Sequence, residues 1–97
     1  MTPEGKIQKQ IITRLNQLGY TVLRINPTGL YLPDRVIQSG IPDLLAFGKG
    51  DLFFVEVKQP GQEPRKLQHH VMGLLRNVGV TCFTWSSVDD LASDLSL

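Results

Sequence analysis

Asp43, Glu56 and Lys58 stand at the ends of two apolar runs, Leu44–Phe47 and Leu52–Val57, separated by Gly48-Lys49-Gly50-Asp51. Charges in such a place cost stability unless something compensates them. The runs are rich in β-formers and bounded by glycine and proline, and the segment between them has hairpin-turn chemistry. A turn centred on Lys49 and Gly50 sets Gly48 against Asp51 and Phe47 against Leu52. Counting back, Leu45 meets Phe54 and Asp43 meets Glu56. Directly opposed residues point to one face with Cβ atoms about 5 Å apart, and like charges so placed repel. Lys58 joins that face because alternate residues of a strand point the same way.

Three arrangements tolerate such a pair. The carboxyls can share a proton, one of them staying neutral near neutral pH. Lys58 can neutralise one acid, leaving the other at the sheet edge. Or a hard cation can sit between the oxygens, as Mg²⁺ does with one or two carboxylates, several waters and a substrate phosphate. Two strands alone leave all three open, and two further residues bear on the choice. Glu4 precedes Ile7 by three positions and Ile11 by seven, which places it on the apolar stripe of an N-terminal helix. Gln68 stands in the same relation to Val71 and Leu75. Each is unremarkable alone, but polar groups aimed inward from separate elements are costly to bury unless they share a partner.

The elements that position these residues follow from local signals. Thr2-Pro3-Glu4 opens a helix with a capping hydroxyl, a proline at the first helical position and an acid that suits the dipole. Ile7, Ile11, Leu15 and Leu18 recur at helical spacing until Gly19 ends the helix. Tyr20–Ile25 alternates as a strand. From Asn26 to Ile41 the apolar pattern is broken by Pro27 and Pro33, which predicts a long loop with a short strand around Val36–Gln38; loops of that length in a small domain are commonly functional. After the hairpin, Pro64 stands where a first helical residue belongs, and Leu67, Val71, Leu74, Leu75 and Val78 form a second stripe that Gly79 terminates. Val80–Trp85 is a last strand, and Ser87 caps a short closing helix that ends near Leu95. The order is helix, three strands, helix, strand, helix: an α/β fold. The crossover helix allows the third and fourth strands to be parallel while the hairpin is antiparallel, so the sheet is mixed. Apolar residues on both faces of the hairpin predict helices on both sides.

Ninety-seven residues with 41% hydrophobic content suffice for one domain, 1–97, with an ordinary core. The single cysteine, Cys82, lies in an apolar run and reads as a buried structural thiol. No apolar run approaches the roughly 20 residues a membrane span needs, and no signal-peptide pattern opens the chain, so the expected setting is cytoplasmic. Net charge is only +1, yet all ten Lys and Arg and six of the nine acids precede Gly79, leaving three Asp and no base after it. Local basic surface is therefore available, although bases on helix faces are ordinarily only solvated.

Glu4, Gly40-Ile41-Pro42-Asp43, Glu56-Val57-Lys58 and Gln68 together resemble the VRR-NUC branch of the PD-(D/E)xK nuclease superfamily, over nearly the whole chain. Some relatives carry a tyrosine four residues after the glutamine. This chain has Met72 there, so no role of that tyrosine carries over. The resemblance implies a restriction-endonuclease-like core and a Mg²⁺- or Mn²⁺-dependent endonuclease that hydrolyses DNA phosphodiester bonds. Asp43 and Glu56 would hold the metal with the main-chain carbonyl of Val57, and Glu4 would orient a metal-bound water or help hold a second ion. Lys58 would act as a base or as an electrostatic clamp on the phosphate, the clamp being favoured because two adjacent carboxylates stabilise its charged form, and Gln68 would position Lys58 or the attacking water. Lys6, Lys9, Arg24, Arg35 and Arg65 are the expected phosphate contacts, which grip nucleic acid without reading its sequence. His69 and His70 point apart on a helix and do not form a zinc pair. Free-standing members of the group resemble Holliday-junction resolvases, which implies a homodimer acting on branched DNA such as four-way junctions. A simple nicking or restriction-like nuclease and a non-catalytic nucleic-acid-binding module are the alternatives, and no helicase or other partner is specified.

Overall fold

The computed structural model describes residues 2–25, 30–37 and 40–97, the side chains of 30–32 and 35–37 apart. Helix α1 spans Pro3–Gln17, and the Thr2 hydroxyl caps it by accepting the Gly5 N–H at 3.0 Å. Strand β1 (Thr21–Arg24) follows, then β2 (Leu30–Leu32) and β3 (Arg35–Ile37), then β4 (Leu44–Gly48) and β5 (Asp51–Val57). Helix α2 (Lys66–Asn77), strand β6 (Thr81–Trp85) and helix α3 (Val88–Asp94) complete the chain. The main sheet has the order β1-β4-β5-β6. Its β1–β4 and β4–β5 pairs are antiparallel and β5–β6 is parallel, the mixed sheet expected of a restriction-endonuclease-like α/β fold.

Within the segment expected to be a loop with a short strand around Val36–Gln38, residues 30–37 form a separate β2–β3 hairpin, Leu32 opposite Arg35 across Pro33-Asp34; the expected strand is β3, and residues 26–29, 38 and 39 lie outside the described residues. The strands of this hairpin are three residues each, too short for a period-2 pattern to stand out, and the proline that reads as a loop signal sits in the turn.

The β4–β5 register matches expectation, with Gly48 opposite Asp51, Phe47 opposite Leu52 and Leu45 opposite Phe54. Lys49 (φ +53°) and Gly50 (φ +81°) carry the two positive φ angles of a type I′ turn, whose twist suits a hairpin. Lys49 also lays its ammonium 5.7 Å from the centre of the Tyr20 ring.

The two faces of the sheet are covered unequally. Leu44, Ala46, Phe53, Val55, Val57 and Trp85 pack with Ile11 and Leu15 of α1 and Leu91 of α3 into the core. The C-terminal acids help fix α3 there: Asp94 accepts the Trp85 indole N–H at 2.8 Å, and Asp90 accepts the Ser86 N–H at 2.7 Å. On the other face α2 packs on β6, with Val71, Met72 and Cys82 buried. Leu23, Phe47 and Leu52 stay exposed at 49%, 37% and 53%, so full cover on both sides is not achieved. A helix about 10 Å across spans about two strands at a spacing of about 4.8 Å, and this face has one helix for four strands.

Helix α2 also differs in start and rotation. Arg65 is its N-cap, so Pro64 precedes the cap instead of opening the helix. Of the apolar stripe read from the sequence, Leu67, Leu74 and Val78 are exposed, and Gln68, Val71 and Met72 form the buried side. A polar residue thus occupies a position that hydrophobic periodicity alone would give to leucine.

Candidate active site

The open end of the hairpin is built by main-chain geometry first. Regular pairing of β4 with β5 ends at Leu44 opposite Val55, and Asp43 follows next to the buried Pro42. The Asp43 side chain takes over where the ladder stops, its Oδ2 accepting the Val57 N–H at 2.9 Å. Its carbonyl accepts the Ile25 N–H at 2.8 Å, so this one residue ties the ends of β1 and β5 together. Lys58 prolongs the β5–β6 side by donating its N–H to the Trp85 carbonyl at 3.0 Å.

Glu56 is 1% exposed. Its Oε2 accepts the Gln68 Nε2–H at 2.6 Å and lies 3.3 Å from Lys58 Nζ. Its Oε1 is equally buried and has no hydrogen-bond partner. Gln68 therefore engages the same Glu56 oxygen that Lys58 holds. Glu4, half-buried in the first turn of α1, is close enough to act electrostatically on both Asp43 and Glu56.

Three carboxylates and one ammonium leave an excess of negative charge. Burial pushes the Glu56 carboxyl up from 4.5 to about 7, Asp43 pushes it the same way, and Lys58 opposes them. Asp43 is also raised, by burial, with its hydrogen bond from Val57 working against the shift. The ion pair of the second arrangement thus exists, but it satisfies only one oxygen of one acid. An orphaned carboxylate oxygen costs free energy, and oxygen donors facing excess negative charge fit a hard divalent cation. Among the described residues no three His, Cys, Asp or Glu side chains converge into a ready-made cage. Mg²⁺ commonly needs no more than one or two carboxylates, waters completing its shell.

Gly40 explains part of the Gly40-Ile41-Pro42-Asp43 stretch. A Cβ on it would come within 2.5 Å of Val71 Cγ2, 2.9 Å of Leu67 Cγ and 3.0 Å of the Leu67 carbonyl oxygen. Only glycine lets α2 approach this closely. That approach was not legible beforehand, since it depends on which face of α2 turns inward.

The basic residues lie around this centre at different removes. Arg24, exposed on β1, pairs with Leu44 and so stands one residue from Asp43 in the register. Arg65 caps α2 three residues before Gln68. Lys6 and Lys9 are exposed on α1 and line a surface groove with Arg14, a base that was not among the expected contacts. Arg35 belongs to β3, but its side chain lies outside the described residues. His69 and His70 are both exposed.

The whole arrangement aligns with a solved structure described as a VRR_NUC domain, with a TM-score of 0.79, 30% sequence identity, and 99% of this chain and 97% of that one covered. The chain belongs to the VRR_NUC family. No family model matches the sequence, and no curated protein matches it. Within this VRR_NUC chain, Asp43, Glu56, Lys58 and Gln68 form one connected cluster through β5 and α2, with Glu4 facing it from α1.

Proposed function

We propose that this VRR_NUC chain is a Mg²⁺- or Mn²⁺-dependent endonuclease that hydrolyses DNA phosphodiester bonds, selects branched substrates such as four-way junctions, and works inside the cell as a homodimer. The observation that carries the metal dependence is Glu56 Oε1, a buried carboxylate oxygen without a partner beside a second acid. Asp43 and Glu56 would hold the cation, with the Val57 main-chain carbonyl as a further candidate ligand and Glu4 orienting a metal-bound water or helping to hold a second ion. A divalent ion held there would supply Lewis-acid polarisation of the scissile phosphate and a more acidic water.

The protein's own groups do the rest. Asp43 keeps its position through Val57 and Ile25, so a main-chain frame and not a flexible loop sets the spacing of the acids. Lys58, 15% exposed and held by Glu56, presents its charge to the phosphoryl oxygens and neutralises what develops there. Arg24, one register step from Asp43, and Arg65, three residues before Gln68, flank the site, and Lys6, Lys9 and Arg35 are the further bases proposed to contact the phosphate backbone, an interaction without sequence preference.

Branched-DNA selectivity and dimerisation rest on the family resemblance and on surface. Leu23, Phe47 and Leu52 on the sheet and Leu67, Leu74 and Val78 on α2 give a second copy apolar area to bury. Two copies would present two sites to two strands.

Labelled four-way junctions, flaps, duplex and single strands incubated with Mg²⁺, Mn²⁺ or EDTA test the reading. Paired nicks on opposed strands of the junction, abolished by EDTA, are expected. Equal cutting of plain duplex would replace junction selectivity with a simple nicking activity. Binding without cutting under every metal would leave a non-catalytic module. A monomer in sedimentation at micromolar concentration, with and without junction, would remove the homodimer.

A further inference from the structure

We propose that Gln68 is a positioning residue that fixes how Glu56 meets the cation, reserving Oε1 for the metal and holding Oε2 for the protein. The inference rests on the metal-binding reading above and adds the way one ligand is oriented.

Gln68 is 6% exposed and makes two hydrogen bonds with opposite polarity. Its Oε1 accepts the Arg65 N–H at 2.8 Å, and its Nε2 donates to Glu56 Oε2 at 2.6 Å. A backbone N–H can only donate and an ionised carboxylate can only accept, so the amide has one satisfactory orientation. Flipping it would set a donor against the Arg65 N–H and an acceptor against Glu56. The first of these bonds is the side-chain half of a capping box, in which the N3 residue reaches back to the N-cap N–H. Here the cap is extended: the amide that starts α2 also grips a carboxylate on β5.

The consequence for Glu56 is specific. The terminal torsion of a glutamate is broad, so a buried carboxylate without a directional partner can turn either oxygen, or both, toward a cation. With Gln68 on Oε2, and Lys58 at 3.3 Å from the same atom, one oxygen is committed to the protein. The other has no partner and no contact with solvent. Two protein groups on one oxygen and none on the other mark a monodentate ligand. The rotation of α2 serves the same end, since Gly40 lets the helix approach closely while Gln68 takes a buried position and Leu67 remains exposed.

The test compares wild type, Gln68→Met and Gln68→Asn by Mn²⁺ titration calorimetry and by infrared difference spectra of ¹³C-glutamate-labelled protein, metal-loaded minus metal-free. Glu56→Gln identifies the Glu56 bands. Wild type is expected to bind Mn²⁺ with the wide splitting between antisymmetric and symmetric carboxylate stretches that marks monodentate coordination. Both variants should bind about 10- to 100-fold more weakly, the range for removal of a group that orients a metal ligand. Their splitting should narrow as both oxygens become available. Gln68→Asn keeps the amide on a shorter arm, so it separates reach from polarity if Gln68→Met folds poorly. Unchanged affinity and splitting in the folded variants, with only a lower melting temperature, would reduce Gln68 to a helix cap and overturn the proposal. A wild-type protein whose Mn²⁺ leaves the Glu56 bands unmoved would overturn it while sparing metal binding at Asp43. No Mn²⁺ binding in the wild type would remove both readings.

Discussion

The two ends of the β4–β5 hairpin share one register and differ in how their polar groups are satisfied. At the turn, Lys49 and Gly50 adopt positive φ angles and the Lys49 ammonium rests over Tyr20, so local chemistry settles the geometry. At the open end, Asp43 borrows a main-chain N–H, Glu56 shares one oxygen between Gln68 and Lys58, and its other oxygen is left alone. A protein selected only for stability would close both ends alike. Unmet polarity retained at one end alone is what a site built for a ligand leaves behind.

The comparison breaks most sharply at Asp43. Asp43→Asn keeps an oxygen that can accept the Val57 N–H and removes a charge that Glu56 and Glu4 both oppose. Cleavage should vanish, while the metal-free protein melts at the wild-type temperature or above it. Added Mg²⁺ or Mn²⁺ should raise the melting temperature of wild type, because a ligand of the native state stabilises it, and should do so far less in the variant. A metal-free Asp43→Asn protein that melts clearly below wild type, with no metal-dependent shift in either, would make the open end as structural as the turn.

Lys58→Gln comes next in size. The substitution removes the charge 3.3 Å from Glu56 Oε2 without touching the main-chain bond to Trp85. Cleavage should slow by roughly 100-fold or more, the scale for loss of one electrostatic stabiliser, with metal and DNA still bound. Wild-type rates in the variant would take Lys58 out of the chemistry.

These contrasts also explain what the sequence made legible. The hairpin register from Leu44 to Gly48 and the meeting of Glu56 with Lys58 rest on turn chemistry and a two-residue period, both local, and the structure reproduces them, while Asp43 lies just past the last regular pair and reaches the site through its side-chain bond to Val57. Likewise the Thr2 cap of α1 is read within four residues. Misreadings begin where an outcome depends on distant contacts. Gln68 and Val71 turn inward as their spacing implied, but Leu67, Leu74 and Val78 of the same regular stripe stay exposed, because the Gln68 amide meets a carboxylate twelve residues away and Gly40 admits the helix closely on that side. Apolar residues on both hairpin faces were a fair sign of cover on both sides, but a count of helices against strands decides how far the cover extends. The short strand expected around Val36–Gln38 appears as β3, whereas β2 gives no sequence signal because three residues carry too little periodicity.

A smaller effect separates the ends by pH. Glu56 titrates at about 7 in the folded protein against an ordinary 4.5, so the native state binds that proton more tightly than the unfolded chain does. The stability it contributes to the metal-free protein is complete below the lower value and is lost as pH rises through the upper one. Asp43, raised as well, acts with the same sign. Urea unfolding without metal should therefore weaken between about pH 4.5 and 7, by at most about 1.4 kcal/mol per pH unit for one proton. Glu56→Gln should flatten the slope. Metal affinity should climb over the same interval, since a cation must displace the proton. A metal-free stability that rises with pH across this window would contradict a desolvated, metal-less acid pair.

The smallest effect lies at the turn, where Gly50→Ala tests whether that end is purely conformational. A Cβ added at Gly50 meets nothing within 4 Å, so the substitution is free of steric clash with the rest of the protein. Its cost is confined to the backbone, because φ +81° lies in the left-handed region that an L-residue enters at roughly 1–2 kcal/mol. For a domain of this size about 1 kcal/mol lowers the melting temperature by roughly 4–8 °C. Gly50→Asn should lose less, since asparagine tolerates that region best among residues with a side chain. Cleavage per folded molecule and the metal-dependent melting shift should stay at wild-type values in both variants, because Gly50 is the far end of the strands from Asp43 and Glu56. Loss of activity in a folded Gly50→Asn protein would show that the turn transmits to the open end through β4 and β5, and that the ends of the hairpin are one unit.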